Sequence, residues 1–164
     1  MKHSISKIAT GLFLFGTLGL SPASAAPVSV GGATALAVAA VVAQYSPLLS
    51  AGEKKVIAGL FDGNVKSSYP KKKLTVTADA VTCRISNVAI ADRSCELTFK
   101  KTKHSLKGRE ANELYATLAT AGINAEGAAG SMIESVTKLS CTLDPAVIKD
   151  NSGGGADCTL TTDQ

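Results

Sequence analysis

Val81-Thr-Cys-Arg-Ile-Ser-Asn-Val-Ala-Ile-Ala-Asp-Arg-Ser-Cys-Glu-Leu-Thr-Phe99 is the stretch on which the fold turns. It holds two strand-like runs, each with one cysteine, separated by the turn-forming Ala91-Asp-Arg-Ser94. Val81, Cys83 and Ile85 alternate with polar residues, and so do Cys95, Leu97 and Phe99. A period of two marks a strand with one buried face. The pattern extends outward on both sides. Leu74-Thr-Val-Thr-Ala78 alternates before the stretch, and Lys101 to Leu106 offers a further strand after it. Runs this close together pair most cheaply as antiparallel hairpins.

A second cysteine pair, Cys141 and Cys158, brackets a similar layout, with strands expected over Val136–Leu143 and Asp157–Thr161. Four cysteines permit three pairings. Cys83–Cys95 and Cys141–Cys158 are preferred, because each closes a short loop between two strand-like runs. The two pairings that tie the first pair to the second stay open at this level. Each bridge should contribute roughly 2–4 kcal/mol by restricting the unfolded chain. Thr82-Cys-Arg-Ile-Ser and Ser94-Cys-Glu-Leu-Thr echo Ser140-Cys-Thr-Leu-Asp and Asp157-Cys-Thr-Leu-Thr. Matches this short arise in any disulfide-bearing strand, and that is the reading favoured over a duplication.

Helices frame these strands. Ser50-Ala-Gly-Glu53 is a capping box, with Ser50 as N-cap and Glu53 three residues on. Val56, Ile57, Leu60 and Phe61 follow on one expected face, which should dock on the sheet, and Gly63 ends the helix. A second helix is expected over Arg109–Ala121, with Ala111, Leu114, Tyr115 and Leu118 facing the core and Gly122 closing it. Asn124 offers the cap of a short third helix through Ile133. Asp144-Pro145 reads as a cap followed by proline, the start of a one-turn helix. The expected fold class is α+β: a small antiparallel sheet with two local disulfides and two to four helices packed on one face.

Residues 1–25 carry the pattern of a cleaved secretory signal peptide. Lys2 and Lys7 precede an apolar run from Ile8 to Leu20, and Ala23-Ser-Ala25 forms an A-x-A site. The run is short for a bilayer span. Residues 26–49 form an Ala/Val-rich N-terminal segment, with an apolar helix expected around Leu36–Ala43. Residues 50–164 form the single disulfide-stapled domain. A leader and an even cysteine count together imply an oxidising compartment, periplasmic or secreted.

Charge is uneven along the chain. Without Lys2 and Lys7, the 17 basic residues fall to 15, against 13 acidic. Lys66 to Arg109 holds 11 basic and 3 acidic residues, and Glu110 to Gln164 holds 2 and 8. Lys71, Lys72 and Lys73 precede the first strand of the group, while Lys100, Lys101, Lys103, Lys107 and Arg109 surround its last. If those strands lie side by side, the clusters merge into one positive surface suited to an acidic protein or an anionic envelope polymer. Nucleic acid is disfavoured, since no aromatics interleave with the charges for base stacking. The competing reading is a solvated edge strand on which lysines discourage aggregation.

Catalytic signals are weak. His104 is the one histidine after the leader, so a small hydrolase would need it together with Ser105, Ser94 or Asp92. Glu110 and Glu113 lie one helical turn apart, but Glu110 suits the first turn of a helix by its charge alone. Ser152-Gly-Gly-Gly-Ala-Asp157 resembles one calcium-binding repeat, a motif that works only in stacked copies. The expectation is therefore an exported, non-enzymatic binding protein with no cofactor and no metal.

Overall fold

The computed structural model describes residues 27–85, 89–122 and 136–162. The expected leader and the expected helix over Asn124–Ile133 lie outside these residues. Period-two alternation builds a seven-stranded antiparallel sheet: β1 (Val28–Gly31), β2 (Leu74–Ala78), β3 (Ala80–Arg84), β4 (Ser94–Phe99), β5 (Thr102–Lys107), β6 (Val136–Leu143) and β7 (Ala156–Thr162). Its order is β1-β7-β6-β3-β4-β5, with β2 also on β6. β2 and β3 are one strand interrupted at Asp79. Leu74↔Leu143 through Ala78↔Leu139 and then Val81↔Val136 keep the same register on β6, while Ala80 to Arg84 pair with β4 on the other side.

Three α-helices among the described residues cover one face: α1 (Gly32–Tyr45), α2 (Ala51–Phe61) and α3 (Gly108–Thr120). α1 is apolar all round, which suits a helix enclosed by its neighbours. Ala35, Leu36, Val38, Ala39, Ala40, Val42 and Ala43 are all buried. It lies on β2, β6 and β7 and is flanked by α2 and α3. The Ala/Val-rich segment thus shares one hydrophobic core with the chain after residue 50.

The capping box at α2 forms in both directions, with Ser50 N donating to Glu53 Oε2 at 2.9 Å and Glu53 N to Ser50 Oγ at 3.2 Å. The expected docking of α2 on the sheet is corrected, because α2 packs chiefly against α1. Phe61 also departs from expectation. Val56, Ile57 and Leu60 are buried, but Phe61 is 43% exposed. One residue beyond Leu60 turns it about 100° away around the helix. Asp144 caps a single turn, accepting from Ala146 N at 3.0 Å through Oδ1 and from Ile148 N at 2.9 Å through its carbonyl. Ile90–Asp92 forms one 3-10 turn.

Both preferred disulfides are present, Cys83–Cys95 and Cys141–Cys158. Each joins residues directly opposite one another on paired strands. The correspondence between the cysteine units extends well beyond the cysteines. β1, α1, β2/β3 and β4 match β5, α3, β6 and β7 in order and in pairing. β1 borders β7 as β5 borders β4, and β3 and β6 meet at the centre. Val30 lies opposite Cys158 and Leu106 opposite Cys95. Two residues later, Gly32 (φ 71°) and Gly108 (φ 60°) turn each edge strand into its helix. That backbone region favours glycine. Three residues further, Ala35 and Ala111 place their carbonyl oxygens 3.3 Å from Cys158 Sγ and Cys95 Sγ. The two parts of the chain thus share an element order, β1-α1-β2/β3-β4 and β5-α3-β6-β7, with α2 additional in the first.

Candidate functional site

Helices cover the face on which Cys83, Cys95, Leu97 and Leu106 are buried, so the alternate side chains form an open, polar face. Register brings them into rows. Thr82 lies opposite Glu96, and Glu96 opposite Ser105. In the next row Arg84 lies opposite Ser94, and Ser94 opposite Lys107. These six residues line a shallow groove of about 380 Å³ on the β3–β4–β5 half. Neighbouring strands are about 4.8 Å apart, so Arg84 and Lys107 flank Ser94 from strands about 10 Å apart.

Charge within the groove is not balanced. Lys103 Nζ holds Glu96 Oε1 at 2.7 Å, which offsets the one carboxylate. Among the described residues neither Arg84 nor Lys107 forms an ion pair, and both are exposed. The groove therefore presents two uncompensated cations around a hydroxyl.

The lysines singled out from the sequence fall in separate places. Lys100 and Lys101 are the two loop residues of the β4–β5 hairpin, since Phe99 pairs with Thr102. Lys100 has φ 53°, and its N–H donates to Asp79 Oδ2. Lys103 and Lys107 lie on β5, the edge strand, with Lys107 in the groove. Arg109 is in the first turn of α3, with Nε 3.8 Å from Glu113 Oε1. Lys71, Lys72 and Lys73 lead into β2, which pairs with β6 and not with β5. The strands that would merge the two clusters are not neighbours. Lys72 instead lies beside the N-terminus of α2, lining a second recess with Ser50 and Glu53. The Glu53 carboxyl is held below its ordinary range, first by the Ser50 backbone N–H, then by the Ser50 hydroxyl, with Lys72 adding to the effect.

His104 is on the other side of the sheet from Ser94 and Ser105. It pairs with Leu97, which faces the helices, whereas Ser105 pairs with Glu96 and Ser94 with Lys107. Its ring stacks on Tyr45 at the end of α1, with centroids 5.0 Å apart. Burial pushes the Tyr45 hydroxyl above its ordinary range, and Glu110 and then Glu113 add to the shift. The structure does not bring His104 together with the serines a hydrolase would need.

The loop Ser152–Asp157 packs on backbone. A side chain at Gly153 (φ 75°) would meet the Gly32 carbonyl carbon and oxygen at 2.2 Å. That contact accounts for the glycine there without a ligand. Arg84 and Ser94 were not among the binding residues expected from the sequence. Their alternation with Cys83 and Cys95 places them on the polar face, but only strand register shows that they share a row with Lys107.

The buried disulfides suit an oxidising environment. No helix among the described residues is long and apolar enough to cross a membrane. Comparison of the chain with protein-family models, with curated proteins and with solved structures found no match.

Proposed function

We propose that this chain is an exported, non-enzymatic binding protein, periplasmic or secreted, that uses a basic strand surface to hold an acidic protein or an anionic envelope polymer. The observation carrying the reading is the cluster of uncompensated cations on the β4–β5 hairpin and its open face. Lys100, Lys101 and Lys107 are exposed there with no ion pair among the described residues, and Lys100 occupies a left-handed backbone position that a glycine would take at lower cost. Residues kept against a local conformational cost point to a role outside folding. The signal-like leader and the two core disulfides support export.

The test uses immobilised polyglutamate at low and high salt. Binding that falls steeply with salt is expected, because exposed charges are screened over about 8–10 Å near physiological ionic strength. Changing Lys100, Lys101 and Lys103 together to Glu should abolish it. Unchanged binding by that triple variant, or no binding by the parent protein to any polyanion, overturns the reading.

A further inference from the structure

The two halves of the fold provide an internal control for the groove. Arg84 follows Cys83 as Thr142 follows Cys141, and Ser94 precedes Cys95 as Asp157 precedes Cys158. Lys107 lies opposite Ser94 as Gly31 lies opposite Asp157. The β3–β4–β5 side of the sheet therefore carries Arg, Ser and Lys where the β6–β7–β1 side carries Thr, Asp and Gly, each side with a disulfide beneath. The β6–β7–β1 side pairs without either cation, so the strand pairing does not demand them.

We infer that the row Arg84–Ser94–Lys107 is a carboxylate-binding site for an acidic peptide segment lying across the open face of β3, β4 and β5. This rests on the basic-surface reading above and assigns its centre to residues on the open face. A guanidinium grips a carboxylate through two parallel N–H bonds, and an ammonium supplies a point charge beside it. The Ser94 hydroxyl between them can donate a third bond. The peptide assignment comes from charge complementarity: Arg84 and Lys107, on strands about 10 Å apart, form no ion pair among the described residues and match carboxylates spaced along an extended acidic segment.

The experiment measures binding of a labelled peptide of alternating Glu and Thr to the disulfide-intact protein, with polygalacturonate and polyphosphate as competitors. Arg84→Thr combined with Lys107→Ser should lower affinity about tenfold or more, whereas Lys71, Lys72 and Lys73 changed together to Gln should leave it within about twofold. Arg84→Lys should fall between, since it keeps the charge and loses the paired N–H bonds. Thermal melting checks that each variant folds, and Arg84→Thr installs the residue that the other half already uses. Full binding by the Arg84/Lys107 variant, with loss in the Lys100/Lys101/Lys103 variant, overturns the groove and leaves the basic surface standing. Equal loss in the groove and Lys71–Lys73 variants shows diffuse attraction and overturns the groove as well. Stronger competition by polyphosphate or polygalacturonate than by unlabelled peptide overturns the acidic-peptide assignment. No binding of any polyanion by the parent protein overturns both readings.

Discussion

Cys158 Sγ lies 3.3 Å from the carbonyl oxygen of Ala35, in the first turn of α1. The other half repeats the distance, with Cys95 Sγ 3.3 Å from the Ala111 carbonyl in the first turn of α3. Each helix thus begins directly over a disulfide, and only a small residue allows so close an approach. Ala35→Leu or Ala111→Leu should destabilise the fold by about 1–3 kcal/mol through overpacking. Urea unfolding of the oxidised protein measures this. A neutral result at both positions would show that the helices can lift without cost.

Removing either disulfide by paired substitution to Ala should cost roughly 2–4 kcal/mol. The bridges close loops of 12 and 17 residues. Since loop entropy grows only logarithmically with length, the two losses should agree within a few tenths of a kcal/mol before native-state effects. Equilibrium unfolding of the two double variants makes the comparison. A much larger loss for one pair would mean that its half carries more of the packing.

Lys100→Gly should raise stability by about 1 kcal/mol, because glycine occupies the left-handed region without the Cβ penalty. The same change should weaken polyanion binding. A variant that is both more stable and weaker in binding separates the two roles of the turn. Loss of stability would show that the lysine side chain supports the hairpin.

Gly153→Ala should be severely destabilising, by about 3 kcal/mol or more, since its Cβ would enter the Gly32 backbone and neither segment has a flexible side chain to yield. Gly154 is the control, because no atom lies within 4 Å of a Cβ built there. Thermal melts of the two Ala variants should differ widely.

The capping box of α2 gives a pH dependence with a defined sign. Glu53 has a folded-state pKa below its ordinary value, so its ionised form is favoured by folding. That stability is present above the unfolded pKa and is lost as pH falls through the folded one. Glu53→Gln should therefore melt below the parent at neutral pH, and the gap should close in acid. A gap that is constant with pH would remove the carboxylate from the cap.

The strands from β2 onward, the capping box and the preferred disulfide pairing are local properties, and each was legible along the chain, whereas β1 lay inside the segment expected to be helical. Alternation around Cys83 and Cys95 places one face inward, and Ser50 to Glu53 closes within one helical turn. The docking of α2 on α1 and the exposure of Phe61 were not legible, because a helical stripe shows which face is buried without naming what buries it. Likewise Lys71–Lys73 and Lys100–Lys103 look alike in sequence, yet the first lead into β2, which pairs with β6, and the second lie at the β4–β5 hairpin.

What the sequence determined by itself was therefore the α+β class and the polar and apolar faces, set by periodicity within a few residues, while it ranked the disulfide pairings without closing them. Tertiary structure alone decided the rest. Antiparallel register put Arg84, Ser94 and Lys107 in one row and sent His104 to the opposite face from Ser105, its neighbour in the chain. Cross-strand position depends on long-range pairing, and a shift of one residue would exchange the faces. The same pairing gives the β3–β4–β5 and β6–β7–β1 sides of the sheet matching rows, in which Arg84, Ser94 and Lys107 take the places of Thr142, Asp157 and Gly31.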